Sequence, residues 1–197
     1  GGSAHEVSGC ELSELGDAGI TLAGGDRATL APAHHVAVNN HVHRFAQWSR
    51  TYQAGIQVAG VGIRVANNCI HDGPHTGILL SGNEHLIELN ELYRLCLDTG
   101  DVGAFYMGRD FTQQGIVIRH NFFHHLGGLG LGSMAVYLDD CTSGVTIFGN
   151  VFFRTQYAAF IGGGRDNTVE NNIFIDCQPA VHVDGRGATT SPVWRAM

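Results

Sequence analysis

The chain has 197 residues, 44% hydrophobic and 15% charged, with a formal net charge of -7, which is enough apolar material for one buried core and rules out a disordered chain. All 11 basic residues are arginines and none of them cluster, so nucleic acid and anionic membrane surfaces are poor partners. No apolar run approaches the roughly 20 residues of a membrane span.

The opening Gly1-Gly2-Ser3 carries neither a starting Met nor a signal segment, and predicts a piece of a longer protein. A repeat follows. Anchored on Asn68 in "IRVANNCIHD", equivalent places fall at Cys10, Asn40, Asn90, Asn121, Asn150 and Asn172, and from Asn40 onward the intervals are 28, 22, 31, 29 and 22. A fixed period of this size marks stacked structural repeats. The unit is 22 residues, and the longer intervals are that unit with inserted loops.

Each unit holds three short apolar segments. One precedes the Asn, as in "LIELN", "IVIRHN" and "VTIFGN"; one follows it, as in "NCIHD", "NFFHH" and "NVFFR". The third comes after a turn, as in "TGILLSG", "GAFYMG", "MAVYLDD" and "AVHVDG". Strands of three to five residues with period-two alternation cannot bury a face alone, but coiled on one another they can. The reading is all-β: a right-handed parallel β-helix of about seven coils and three parallel sheets, one domain over residues 1–197. The recurrent Asn is expected at a bend, in left-handed backbone torsions, with its amide bonded to those above and below. The five cysteines show no CxxC spacing, so neither a zinc cluster nor a disulfide framework is read from them.

The third strand breaks the uniformity. Its outward and end column, aligned as Ala23, Ala59, Ser81, Met107, Asp139, Gly163 and Asp184, turns acidic in the later coils. Beside it lie Arg109-Asp110, Asp139-Asp140, Arg165-Asp166 and Asp184 with Arg186. Extra residues at 46–54, 96–103, 111–114 and 126–133 are expected to wall a groove along this strip. Trp48, Tyr52, Phe105, Tyr106, Phe111 and Tyr137 lie within or next to them, suited to stacking on sugar rings. The candidate catalytic carboxylates are Asp101, Asp139, Asp140 and Asp110. A pair about 5–5.5 Å apart suits retaining glycoside cleavage, and about 6.5–9.5 Å suits inversion. Arg109, Tyr106, Tyr137, Arg165, His182 and Asp184 are the candidate substrate-binding residues, His182 also as a proton-transfer group. The plainer alternative is that the Arg-Asp pairs only neutralise one another on an exposed sheet. A second outward column, His43, His71, Tyr93 and His124, reads as a stacked surface column. No carboxylate or Cys is seen to complete a ligand set, so no metal site is predicted.

The phrases "GILLSGNEHLIELNELYRLCLDTGDVGAFYMGRD", "YLDDCTSGVTIFGNVFFRT" and "FIGGGRDNTVENNIFIDCQPAVHVDGRG" resemble the pectate-lyase-like superfamily, and more narrowly the bacterial β-helix proteins related to glycoside hydrolase family 141. The resemblance spans about residues 62–187. It implies a secreted or periplasmic hydrolase of complex polysaccharide that acts on fucosidic or xylosidic bonds through paired aspartates, with Asp101 and Asp139 the first choice and Asp140 and Asp110 as substitutes. It also implies polysaccharide or oligosaccharide as partner. Members of that family are longer, so uncovered coil ends here invite end-to-end self-association. Two other functions stay open. A polysaccharide lyase or uronate epimerase would use Arg109, Tyr106 or Tyr137 as base, and Ca²⁺ on Asp139, Asp140 and Asp184 is possible there; otherwise no cofactor is expected. A β-helix that binds carbohydrate without turnover is the non-enzymatic alternative.

Overall fold

Strands of three residues must find their hydrogen bonds in the copies above and below them. The computed structural model, which describes residues 2–188 and 190–196, has 21 strands coiled seven times into three parallel sheets of seven strands each. A representative coil is Leu86–Glu88, Glu91–Tyr93 and Val102–Gly108, one strand in each sheet. The next coil is Ile116–Arg119, Phe122–His124 and Ser133–Asp139. It stacks in register: Leu86 on Val117, Glu91 on Phe122, Tyr106 on Tyr137.

Alternation sends every second side chain inward. In the second sheet the inward column runs Val42, Ile70, Leu92, Phe123, Phe152 and Phe174. Its last three rings stack at 5.2 and 5.1 Å with planes 8° apart. Each fully buried member contributes about 1.5–3 kcal/mol.

The Asn ladder is continuous. Asn68 Oδ1 accepts from the Asn40 backbone N–H at 3.0 Å and from Asn40 Nδ2 at 2.9 Å, while Asn68 Nδ2 donates to the Ala37 carbonyl at 3.0 Å. The same pattern links Asn90, Asn121, Asn150 and Asn172. Cys10 ends the ladder, its N–H donating to Asn40 Oδ1 at 3.1 Å. One expectation is corrected. The left-handed torsion belongs to the residue before each ladder Asn: Asn39, Asn67, Leu89, His120, Gly149 and Asn171 have φ between 55° and 63°. Leu and His in that region cost about 1–2 kcal/mol each, and the ladder bonds made by the following Asn offset this.

A glycine ladder closes the third strand. Gly60 and Gly82 have φ of 112° and 114°, and a Cβ on Gly82 would lie 2.0 Å from the Gly60 carbonyl oxygen. Gly82→Ala is therefore expected to cost about 3 kcal/mol or more in a urea titration, against less than about 0.5 kcal/mol for the exposed neighbour Ser81→Ala. Equal midpoints for the two variants would show that the coils can spread apart at this corner.

Most of the loops join the second strand to the third, over 44–55, 94–101 and 125–132. Two more, 25–35 and 109–115, join the third strand to the next coil. Together they flank the third sheet on both sides. The 25–35 loop was not anticipated, and it supplies Arg27, which bonds Asn83, Asp110 and Thr112. A short helix, Pro192–Ala196, sets Trp194 against Phe111 with ring centroids 6.1 Å apart.

His85 is buried at the base of this sheet. Its Nδ1 accepts the Ile63 N–H at 3.1 Å and its Nε2–H donates to the Ser81 carbonyl at 3.1 Å. Burial pushes its pKa down to about 4. The unfolded chain, with a His pKa near 6.5, takes up the proton first on acidification. Stability thus falls from about pH 6.5 to about pH 4, by roughly 3 kcal/mol at the lower limit from this group. Urea midpoints across that window should fall more steeply for the parent chain than for His85→Asn; parallel slopes would remove His85 as a cause.

Candidate active site

Asp101 precedes the strand Val102–Gly108, and Asp139 ends the adjacent strand Ser133–Asp139. Gly103, within the first of these strands, lies tight against its neighbours: a Cβ there would lie 2.4 Å from the Phe105 carbonyl oxygen and 2.7 Å from Tyr137 Cβ. Glycine thus lets the Asp101 segment close against Tyr137, whose hydroxyl donates to Asp101 Oδ1 at 2.9 Å. The Tyr106 hydroxyl donates to Asp139 Oδ2, also at 2.9 Å. The two rings meet edge to face with centroids 5.4 Å apart. Burial raises the pKa of both phenols; the Asp139 charge adds to it in both, and Tyr137 is pushed further by its bond to Asp101. Both therefore remain protonated donors.

Asp139 is 6% exposed. Its Oδ1 accepts from Arg186 Nη1 at 2.8 Å and from the Asp140 N–H at 2.9 Å. Asp140 accepts from Arg186 Nη1 at 2.9 Å and pairs with Arg109 Nε at 3.2 Å. Arg186 reaches Asp184 as well, at 2.8 Å. Burial opposes the Arg186 charge, but its bonds to Asp184 and Asp140 outweigh that and push its pKa up. Arg186 thus stands among Asp139, Asp140 and Asp184, the three carboxylates weighed as a calcium site. With a guanidinium already between them, these residues do not fit Ca²⁺.

Two positions of the third-strand column need realignment. Gly108, not Met107, faces Asp139, and Met107 is fully buried. A Cβ on Gly108 would lie 2.9 Å from Asp139 Cβ and 3.1 Å from the Tyr106 hydroxyl, so the missing side chain makes room for that pair. Ile161 pairs with both Leu138 and Val183, which places Gly162 rather than Gly163 level with Asp139 and Asp184. Phe105, expected at the groove, is fully buried in the core.

Asp101, Asp139, Asp140, Arg109, Tyr106, Tyr137 and Asp184 are brought together. Asp110 is not: it accepts from Arg27 at 3.0 Å and from the Thr112 N–H at 2.9 Å, where it serves the loop. Arg165 lines one hollow with Asp184, Gly163 and Val183 and a second with Arg27, Glu84 and Phe111. His182 extends the outward aromatic column, stacked on Phe160 with centroids 4.5 Å apart. Arg186 was missed as a site residue; its signal was the "DGRG" turn, in which Asp184 caps residues 185–187 and aims the guanidinium back at Asp139.

A trough of about 310 Å³ leads to this cluster over the outward face of the third sheet, lined by Thr21, Gln57, Leu79, Tyr106 and Gly108. The exposed Tyr52 lies on the 44–55 loop, and Arg50 Nε ties that loop to Asp98 at 2.6 Å.

The pattern of coils matches the family model for the right handed beta helix region over residues 54–191. The chain belongs to that family. Its fold is similar to a solved glycoside hydrolase structure with a TM-score of 0.61 and 13% sequence identity, over 93% of this chain and 35% of that one. The chain thus spans about a third of the length of that protein. No curated protein matches.

Proposed function

We propose that the chain is a carbohydrate-active β-helix that hydrolyses glycosidic bonds in a polysaccharide or oligosaccharide bound along the third-sheet trough. The observation that carries this is the convergence of Asp101 and Asp139 on the Tyr106–Tyr137 pair at the end of that trough. Asp101, exposed and holding one donor, protonates the leaving oxygen. Asp139, which accepts from Arg186, Tyr106 and Asp140, acts as nucleophile or activates water. Arg109 orients the substrate. The likeness to a glycoside hydrolase and the resemblance to family 141 support the same reading, with fucosidic or xylosidic bonds as targets and a secreted or periplasmic location.

The phenols favour hydrolysis over elimination. A lyase needs a base to remove the C5 proton, and both tyrosines are held as donors on carboxylates. The test is incubation with plant and algal polysaccharides, reading reducing ends and unsaturated-uronate absorbance on the same samples, with and without calcium. Reducing ends alone are expected. Both signals together would establish a lyase, and silence in both would leave a binding module.

A further inference from the structure

The second sheet carries a cluster that this chemistry does not use. Outward positions stack Glu11 on His41 on Cys69, and His43 on His71. His41 Nδ1 lies 2.9 Å from Glu11 Oε2, and His71 Nδ1 lies 2.8 Å from Asp72 Oδ2. An ionised carboxylate only accepts, so each Nδ1 carries the hydrogen, and the Nε2 of each neutral ring is left as a bare lone pair. Those two Nε2 atoms face each other at 2.7 Å. Two lone pairs so placed repel unless a proton or a metal ion lies between them. Cys69 Sγ completes the group: one ligand atom from each of His41, Cys69 and His71 lies within 4.8 Å of the other two. His43 stacks on the His71 ring at 5.0 Å and 9°, fixing its plane.

We propose that His41 Nε2, His71 Nε2 and Cys69 Sγ form a three-ligand site for a divalent transition metal of the zinc type. Two imidazoles and a thiolate select such an ion over calcium or magnesium. Glu11 and Asp72 are the outer carboxylates that orient metal-bound histidines. Nitrogens held about 2.0–2.1 Å from a tetrahedral ion lie about 3.3 Å apart, a small opening that the partly exposed His41 supplies. The Glu91 carboxylate lies 3.8 Å from Cys69 Sγ and 3.1 Å from His124 Nε2. The sequence reading placed His43 and His71 in one stacked column and saw no Cys beside them. The register instead puts Cys69 two residues before His71 on the same outward face, diagonal to it across from His41.

The experiment is titration of the chain with Zn²⁺ by calorimetry and with Co²⁺ by absorbance. One ion per chain is expected, with a thiolate-to-cobalt charge-transfer band. Cys69→Ser should remove that band, and Cys69→Ser and His41→Ala should each weaken Zn²⁺ binding at least about 100-fold. Asp72→Asn, which keeps every ligand, should weaken it about 10–100-fold, and Cys10→Ser should change nothing. Circular dichroism checks that each variant is folded. Absence of the charge-transfer band in the parent chain, or Zn²⁺ affinity unchanged in folded Cys69→Ser and His41→Ala, overturns the proposal.

Discussion

Asn121→Ala is expected to lower the unfolding free energy by about 4–6 kcal/mol, a large part of the 5–15 kcal/mol that holds an ordinary domain together. Asn121 Oδ1 accepts from both the N–H and Nδ2 of Asn90, while its Nδ2 donates to Asn150 Oδ1 and the Ile87 carbonyl. Alanine removes all four bonds. It strands two buried donors on Asn90, each costing about 1–3 kcal/mol because no water reaches them. Asn172 makes similar bonds to Asn150 and Ile147, but it stands half-buried at the last rung. There water can replace the lost partner, so Asn172→Ala should cost about 1–2 kcal/mol. Urea titrations followed by far-ultraviolet circular dichroism compare them directly. Equal losses at the two rungs would mean that the coils rest on apolar stacking and that the ladder only sets register.

That ladder is also why the fold was legible. A solenoid repeats its constraints, so one weak signal, an Asn at intervals of 22 and slightly more, recurs often enough to fix coil number and strand order. What it does not fix is register to a single residue. The third-strand column was misaligned at Met107 and at Gly163, because period-two alternation has the same appearance when shifted by one at a strand end. The true neighbours of Asp139, Gly108 and Gly162, are glycines and carry no side-chain signal. Asp110 was legible as a carboxylate in the correct coil. Its partner Arg27 lies 83 residues away, in a loop that the repeat does not predict. Cys69 and His41 escaped notice as a pair for the same reason, being neighbours only across coils.

Asp139→Asn is expected to reduce glycoside hydrolysis by about 10²–10⁴-fold or more, the range for loss of a positioned acid, base or nucleophile, with the fold retained. The substitution conserves shape. Its amide oxygen can still accept from Arg186 and Asp140, and Tyr106 can turn its hydroxyl to accept from the new NH₂. Asp101→Asn should cost a similar factor, yet the two defects differ in kind. If Asp101 gives the proton to the leaving oxygen, an aryl glycoside whose leaving group needs no proton restores much of the rate to Asp101→Asn and little to Asp139→Asn. If Asp139 supplies the attacking atom or activates water, added azide should rescue Asp139→Asn through a glycosyl azide of inverted configuration, whereas an azide formed by Asp101→Asn on a covalent intermediate would retain it. Rescue by the aryl glycoside of Asp139→Asn, together with an inverted azide from Asp101→Asn, would exchange the two roles. Full turnover in folded Asp101→Asn plus Asp139→Asn would show that the carboxylates serve only to hold Tyr106, Tyr137 and Arg186 in place, and would move the chemistry elsewhere along the trough.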